Sequence, residues 1–347
     1  MKKLLSLLLV LALCIGLMAA CTKQDTPVTD PQKLASDTKE PAEDPSNNAE
    51  QTSEEQEKTK KFKIAICTGT VDNTWAAREV ELLEQECTKE TDRFEYTLNS
   101  AVDAADQQNI LETYLLGDYD LIMVAPMDSA LMAEVCDRVY ASGIPLFIFD
   151  RPIEGENFTT HIGGSDYNSG VIAGEYIGEQ LGGEGDVVVL RNWLGTEGDL
   201  LRYSGFADTI KEKYPGINIV REVDGENSME KGYAVMSDIL AAVDHIDAVY
   251  AQVDEAGIGA EQAIRNAGRD DVKYIVGVGG AKECFNMMKA DGAIFTAIAT
   301  YLPTSGMYAV QHARDYLLNG GEIEKDISDE AFLITKDNVD EYYELGF

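Results

Sequence analysis

The sequence has few basic residues and few histidines, and it lacks several signatures of enzymes. Its 347 residues include 28 Lys and Arg against 62 Asp and Glu, for a formal charge of −34. Nucleic-acid phosphates require basic surfaces, so this balance argues against a nucleic-acid partner. His161, His245 and His312 show no metal-ligand spacing. G-x-S-x-G and phosphate-binding-loop motifs are absent, and no G-x-G-x-x-G is completed. We therefore expect no enzyme activity, no metal and no cofactor.

Cysteine pairs are also missing. Of six cysteines, Cys14 and Cys21 fall in the N-terminal segment, and the other four are Cys67, Cys87, Cys136 and Cys284. These four are far apart and form no C-x-x-C pair, so they carry no metal or redox signature. We expect most of them to be buried core residues, and the sequence leaves one disulfide open.

The N-terminus holds the longest apolar run, and it is too short to span a bilayer comfortably. Lys2 and Lys3 precede an apolar stretch over residues 4–18, as in a secretory signal. The stretch ends in Leu-Met-Ala-Ala-Cys21, which resembles the lipobox of bacterial lipoproteins, with Met18 where Leu is commoner. The resemblance implies a signal peptide over residues 1–20 and a lipid on Cys21. An ordinary signal peptide followed by a stray cysteine is the alternative.

Residues 21–60 have the composition of a disordered linker. They are rich in Asp, Glu, Lys and Pro and contain no aromatic residue. Such a segment cannot bury enough apolar surface to fold by itself. We expect a lipidated N-terminus followed by an acidic tether that ends at a globular part.

From Phe62 onward, short apolar runs alternate with amphipathic stretches. Strands are predicted at 62–67, 93–98, 121–124, 145–150, 160–163, 187–190, 217–220, 248–251, 274–278 and 294–299, and helices between them, such as 75–90, 128–141 and 169–181. This alternation predicts parallel sheets covered by helices on both faces. A chain of this length favours two separate cores. The predicted fold class is α/β, with two doubly wound parallel-sheet lobes and a flexible break at residues 162–166.

Polar and aromatic residues follow the predicted strands at their carboxyl ends, where open parallel sheets place ligands. The candidates are Asp72, Asn73, Trp75, Asp150, Arg151 and Arg202. Carboxylates, amides and guanidinium groups suit sugar hydroxyls, and an aromatic plane suits the C–H face of a sugar ring. Two facing sheets with a hinge would form a cleft that closes on such a ligand.

Each candidate also has a purely structural interpretation. Asp72 and Asn73 could cap the helix that begins near Trp75, and Trp75 could be a core residue of that helix. Asp150 with Arg151 could form a surface ion pair, and Arg202 could be a solvated helix charge. The sequence leaves these alternatives open.

Several motifs occur in a fixed order between Phe62 and Phe347: Asp72-Asn73-Thr74-Trp75, Asp106-Gln107-Gln108, residues 120–128, Gly143-Ile144-Pro145 to Phe149-Asp150-Arg151, residues 161–166, Arg202 with Gly205-Phe206, residues 251–255 and Leu302-Pro303. This ordered set resembles the periplasmic sugar-binding proteins of the ribose and galactose type, the type I periplasmic binding proteins. The resemblance implies that Asn73 and Arg151 hydrogen-bond ligand hydroxyls and that Asp150 accepts from them. It also implies a stack on Trp75 and enclosure by Arg202 and Tyr301.

The same resemblance implies the domain organisation and the partners. Three crossings between lobes are implied near residues 164, 301 and 331. The first lobe would comprise residues 61–163 and 302–330, and the second 164–301 and 331–347. The implied partners are a small polar ligand, an ABC permease and the membrane through Cys21, and we expect a monomer in an extracytoplasmic location. A binding protein that signals to a membrane receptor is the alternative function.

This chain departs from the family pattern mainly in the second lobe. Val253 stands where Asn is usual before Asp254-Glu255, and Val278-Gly279-Gly280 replaces a strand end with a ligand-binding Asp. Tyr301 replaces a polar amide, and a second-lobe aromatic is lost around Asn227. We therefore expect a less polar second-lobe wall than a ribose site has, and a ligand such as a deoxysugar, a larger sugar or another polar metabolite. The repressors that share this fold carry a DNA-binding helix-turn-helix, and here that stretch is the signal and the acidic linker.

Overall fold

The computed structural model describes residues 61–347, which fold into two β-sheets flanked by helices. The predicted signal peptide, Cys21 and the acidic linker lie outside the described residues. The strands are β1 (Phe62–Thr68), β2 (Phe94–Ser100), β3 (Leu121–Val124), β4 (Leu146–Phe149), β5 (Thr160–Gly164), β6 (Glu184–Arg191), β7 (Gly216–Asp224), β8 (Ala248–Ala251), β9 (Tyr274–Gly279), β10 (Phe295–Thr300), β11 (Asp326–Asp329) and β12 (Leu333–Thr335).

Helices connect most of these strands. They are α1 (Thr74–Cys87), α2 (Ala104–Leu115), α3 (Ser129–Ala141), α4 (Asp166–Gln180), α5 (Glu197–Lys213), α6 (Met229–Ala242), α7 (Asp254–Ala267), α8 (Lys282–Met288), α9 (Ser305–Leu318) and α10 (Val339–Tyr342), with a 3₁₀ turn at Tyr343–Leu345. The first helix ends three residues earlier than predicted, since Glu90 has a φ of 55° and left-handed backbone does not continue a helix.

Both sheets have the topology of a doubly wound α/β fold. The first sheet has the order β11-β5-β4-β3-β1-β2, and all of its pairs are parallel. The second has the order β12-β10-β9-β8-β6-β7, in which β12 alone pairs antiparallel. We call the first sheet with its helices the first lobe, and the second sheet with its helices the second lobe. The predicted fold class is confirmed.

Inner strands such as β3, β4 and β8 are buried on both faces, which explains why their sequences are continuously apolar. The edge strands β2 and β7 include polar, exposed residues. In β1, Ala65 and Cys67 face one core cluster, while Ile64 and Ile66 face another. This alternation follows the two-residue period of a strand. The second sheet divides its side chains in the same way between two further clusters.

The chain passes between the sheets at residues 164–166, at Tyr301 and between β11 and β12. The stretch predicted as a flexible break is regular structure: β5 continues to Gly164, and the Ser165 hydroxyl accepts from the Asn168 N–H and caps α4. The sequence did not predict β11 and β12. Both are short edge strands: β11 is mostly polar, and β12 has only three residues, so neither forms an apolar run long enough to detect.

The four cysteines of the described part are free thiols. Cys67, Cys136 and Cys284 are buried, as expected, and Cys87 is half-buried. Burial raises the pKa of the Cys67 and Cys136 thiols to about 12, so both are protonated core groups at neutral pH.

Within residues 61–347, no helix combines the length and apolarity needed to cross a membrane. The same residues contain no group of His, Cys, Asp and Glu side chains arranged to hold a metal ion.

Candidate ligand-binding site

Asp150 follows β4 at the carboxyl end of the first sheet, in a left-handed conformation with a φ of 61°. Its N–H donates to the Ile162 carbonyl on the neighbouring strand at 3.0 Å, and its side chain is only 12% exposed. Burial raises the pKa of the Asp150 carboxyl, and the nearby Arg151 charge opposes that shift. A non-glycine residue held in this backbone region is typical of functional sites.

Arg151 lies beside Asp150 and extends into solvent. Its side chain is 63% exposed, and its Nε atom is 3.8 Å from Asp150 Oδ2. One Nη atom donates to the Met127 carbonyl at 3.2 Å. The two residues are therefore not an ordinary surface ion pair, since the carboxylate is buried and the guanidinium group keeps donors free for another partner.

Asn73 and Asp72 lie at the exposed N-terminus of α1. Asn73 Oδ1 accepts from the Ala76 N–H at 2.9 Å, and Asn73 Nδ2 donates to Asp72 Oδ1 at 3.1 Å. The capping interpretation is thus correct for Asn73 and wrong for Asp72. Ligand contacts from either residue stay a prediction.

Trp75 is half-buried and belongs to none of the core clusters of the described chain. Its Nε1–H donates to the Tyr301 carbonyl at 2.9 Å, and the two rings have centroids 5.9 Å apart. Trp75 comes from the first lobe, whereas Tyr301 directly follows the last parallel strand of the second. The indole therefore links a first-lobe helix to a crossing segment.

Arg202 lies on α5 in the second lobe and is only 8% exposed, so it is not a solvated helix charge. Its Nε donates to Asp166 Oδ1 at 2.6 Å, and one Nη donates to the Gln252 carbonyl at 2.6 Å. The guanidinium carbon lies 4.8 Å from the centre of the Tyr301 ring, which is cation–π distance. Arg202 is held mainly by its own lobe.

Tyr301 is the residue on which these side chains converge. Its hydroxyl donates to Asp150 Oδ1 at 3.1 Å, while its ring lies near Trp75 and Arg202. Four of the predicted site residues, Trp75, Asp150, Arg202 and Tyr301, thus form one cluster that bridges the lobes. Arg151 flanks the cluster, and Asp72 and Asn73 interact with each other.

The departures from the family pattern at Val253 and at Gly279-Gly280 of the second lobe have a structural cause. Asp254 is fully buried, and its Oδ2 accepts from the N–H groups of Gly280 and Ala281 at 2.7 Å each. A Cβ at Gly279 would lie 2.8 Å from that oxygen. Gly279 and Gly280 also have φ values of 145° and 151°, which favour glycine. Val253 packs into the second-lobe core, so neither Val253 nor the Gly279-Gly280 turn offers a polar side chain here.

Glu79 is a buried carboxylate beneath the cluster that sequence reasoning missed. It is 5% exposed, and its Oε1 accepts from the Ser305 hydroxyl at 2.8 Å. Burial, followed by the charge of Asp150, raises the pKa of Glu79 to about 8. The available signal was its position: Glu79 is four residues after Trp75 and four before Leu83, on the inward face of α1. Asp166 and Gln252, the partners of Arg202, were also missed.

The family comparison agrees with this architecture. The periplasmic binding protein domain family matches residues 64–322. The chain belongs to that family.

Relatives among the periplasmic binding proteins include a xylitol-binding protein of Mycolicibacterium smegmatis, which is 28% identical over 69% of this chain and 67% of its own length. The ribose import binding protein of Bacillus subtilis is 25% identical over 78% of this chain and 86% of its own. An ABC transporter solute binding protein of Bacillus halodurans with bound myo-inositol is 24% identical and has a TM-score of 0.71, covering 82% of this chain and 98% of its own. This last likeness shows the shared fold.

Proposed function

We propose that this protein is an extracytoplasmic, lipid-anchored solute-binding protein that captures a sugar or polyol for an ABC importer by closing two lobes. The observation that carries the proposal is the convergence of Trp75, Asp150, Arg202 and Tyr301 between the two sheets. The names of the relatives, which bind ribose and xylitol, support the ligand class. In this proposal the protein is a monomer and is not an enzyme.

The cluster has the two kinds of group that a sugar needs. The Asp150 carboxylate and the free donors of Arg151 suit hydroxyl groups, and the Trp75 ring suits a C–H face. We assign Asp72 and Asn73 to the first-lobe rim of the site. The lobes would comprise residues 61–163 with 302–330 and residues 164–301 with 331–347. Signalling to a membrane receptor is the alternative role, and co-purification with a permease or with a receptor distinguishes the two.

A thermal-shift screen with ribose, xylitol, myo-inositol, deoxysugars and larger sugars, followed by calorimetry, tests the ligand class. For a ligand found in this way, Arg151→Ala is expected to weaken binding by about 10- to 100-fold, because charge-assisted hydrogen bonds contribute roughly 1.5–3 kcal/mol each. Trp75→Ala is expected to weaken it by about 10-fold through the lost ring contact. Arg221→Ala, an exposed arginine on β7, is the control. Unchanged affinity in both site variants would show that the site lies elsewhere.

The lipid anchor is tested by Cys21→Ser. The unlipidated protein is expected to leave the membrane fraction and appear in the soluble fraction, because one cysteine carries the anchor. Fractionation followed by immunoblotting measures this, and Cys14→Ser is the matched control that should stay with the membrane. Membrane retention of the Cys21→Ser protein would contradict the anchor.

A further inference from the structure

The Tyr301 side chain makes the same kinds of contact that the proposed function expects of a sugar. Its hydroxyl donates to Asp150 at 3.1 Å, and its ring lies 5.9 Å from the Trp75 ring, centroid to centroid. The Arg202 guanidinium group lies 4.8 Å from the centre of the ring. A flat ring with a hydroxyl group therefore already lies between the first-lobe and second-lobe residues of the site.

Gly164, the last residue of β5, makes room for this ring. A Cβ at Gly164 would lie 2.7 Å from Cε2 of Tyr301, which is closer than real side-chain contacts allow, and 3.0 Å from Cδ2. The backbone of Gly164 is not left-handed, so its conformation does not require glycine. Glycine is required at this position because the Tyr301 ring leaves no room for a Cβ. The site therefore has a place shaped for that ring.

The contacts of Tyr301 also connect the lobes directly. Its carbonyl accepts from Trp75 and its hydroxyl donates to Asp150, both of the first lobe, while Arg202 of the second lobe lies against the ring. These interactions need no ligand. They stabilise an arrangement in which the two lobes are together, and they occupy one oxygen of the carboxylate that a ligand hydroxyl would use.

We propose that Tyr301 is an internal occupant of the cleft: it holds the lobes together in the ligand-free protein, and a ligand binds by displacing its side chain from Asp150. The displacement of Tyr301 by a ligand rests on the proposed function, whereas its role in the ligand-free protein does not. Displacement would act as a specificity filter. A ligand gains from binding only if it replaces both the hydroxyl at Asp150 and the ring contact with Trp75, so a molecule with only one of these features binds poorly.

The claim that Tyr301 holds the lobes together without a ligand is tested by small-angle X-ray scattering on the full chain with Cys21→Ser. Tyr301→Ala removes the occupant, and Gly164→Ala expels it while the tyrosine remains in the chain. Both variants are expected to open the lobes and increase the radius of gyration, and the double variant should open no further than either. Tyr308→Ala, which removes a half-buried tyrosine of α9, is the matched control, and circular dichroism checks folding. An unchanged radius in both single variants would overturn the proposal.

The claim that a ligand displaces the Tyr301 side chain from Asp150 is tested by calorimetry with ribose, xylitol and myo-inositol as probes. For a probe that binds, Tyr301→Phe is expected to strengthen binding by about 10-fold, because the bond that competes for Asp150 is gone. Gly164→Ala should strengthen it as well, and Tyr308→Phe should not. Weaker binding by Tyr301→Phe would mean that the hydroxyl bonds the ligand directly and would overturn displacement. If neither these probes nor the deoxysugars and larger sugars of the screen bind the wild-type protein, the sugar assignment fails, and the scattering result alone decides whether Tyr301 is an internal occupant.

Discussion

Replacing Arg202 with alanine is expected to lower the free energy of unfolding by about 3 kcal/mol. This value is the lower end of the roughly 3–5 kcal/mol that is lost when one partner of a buried ion pair is removed. The arginine side chain is 10% exposed and that of Asp166 is 18% exposed, with 2.6 Å between Nε and Oδ1. Without the guanidinium group, the mostly buried Asp166 carboxylate has no cation and the Gln252 carbonyl loses a donor. Urea unfolding measures the change.

Two further variants separate this structural role from a ligand contact. Arg221→Ala removes an exposed arginine and is expected to change the free energy of unfolding by less than about 0.5 kcal/mol. Arg202→Met combined with Asp166→Asn removes both charges and is expected to recover much of the lost stability. Any loss of ligand affinity that persists in the recovered protein then reports a direct contact of Arg202. A free energy of unfolding for Arg202→Ala equal to that for Arg221→Ala would contradict the buried ion pair.

The second large effect concerns Glu79 and pH. Burial and the Asp150 charge raise the pKa of Glu79 from 4.5 to about 8, so the folded protein holds a proton that the unfolded chain releases. The contribution of this group to stability is fully present below about pH 4.5 and is lost as the pH rises to about 8. The loss is on the order of 5 kcal/mol, at 1.36 kcal/mol for each unit of pKa.

Glu79→Gln tests this because glutamine keeps the shape of the neutral acid and does not titrate. Relative to the wild type, the variant is expected to lose less stability between about pH 5 and pH 8, measured by urea unfolding at several pH values. Glu84→Gln, on the exposed face of α1, is the control and should give a wild-type profile. Parallel profiles for wild type and Glu79→Gln would show that Glu79 is ionised in the folded protein. Asp150, Arg151, Ser305 and the Gly306 backbone face this carboxyl, so the profile also reports on the site.

Most of the fold could be predicted from local sequence patterns. The ten predicted strands correspond to β1–β10, and the inner ones are the clearest because a strand buried on both faces is apolar throughout. The edge strands β11 and β12 could not be predicted, since β11 is short and mostly polar and β12 has only three residues. Residues 162–166 look like a flexible glycine-rich break, yet a neighbouring strand and a capping serine order them.

The site divides in a similar way. Placing Trp75, Asp150 and Arg202 near the cleft needs only the rule that open parallel sheets bind ligands at their carboxyl ends. The partners of those residues are distant in the chain: Tyr301 is 151 residues from Asp150, and Gln252 is 50 residues from Arg202. No local pattern reports such pairs.

The sequence by itself determined the class of this protein, because acidity, β–α alternation and an ordered set of motifs depend only on the composition and order of the residues. The tertiary structure alone decided what the site residues do. It buried Arg202 against Asp166, left Arg151 exposed, and placed the Tyr301 ring over Gly164 with its hydroxyl on Asp150. The physical reason is that burial and hydrogen bonding between distant residues determine whether a charged or aromatic side chain is available to a ligand or already has a partner within the protein.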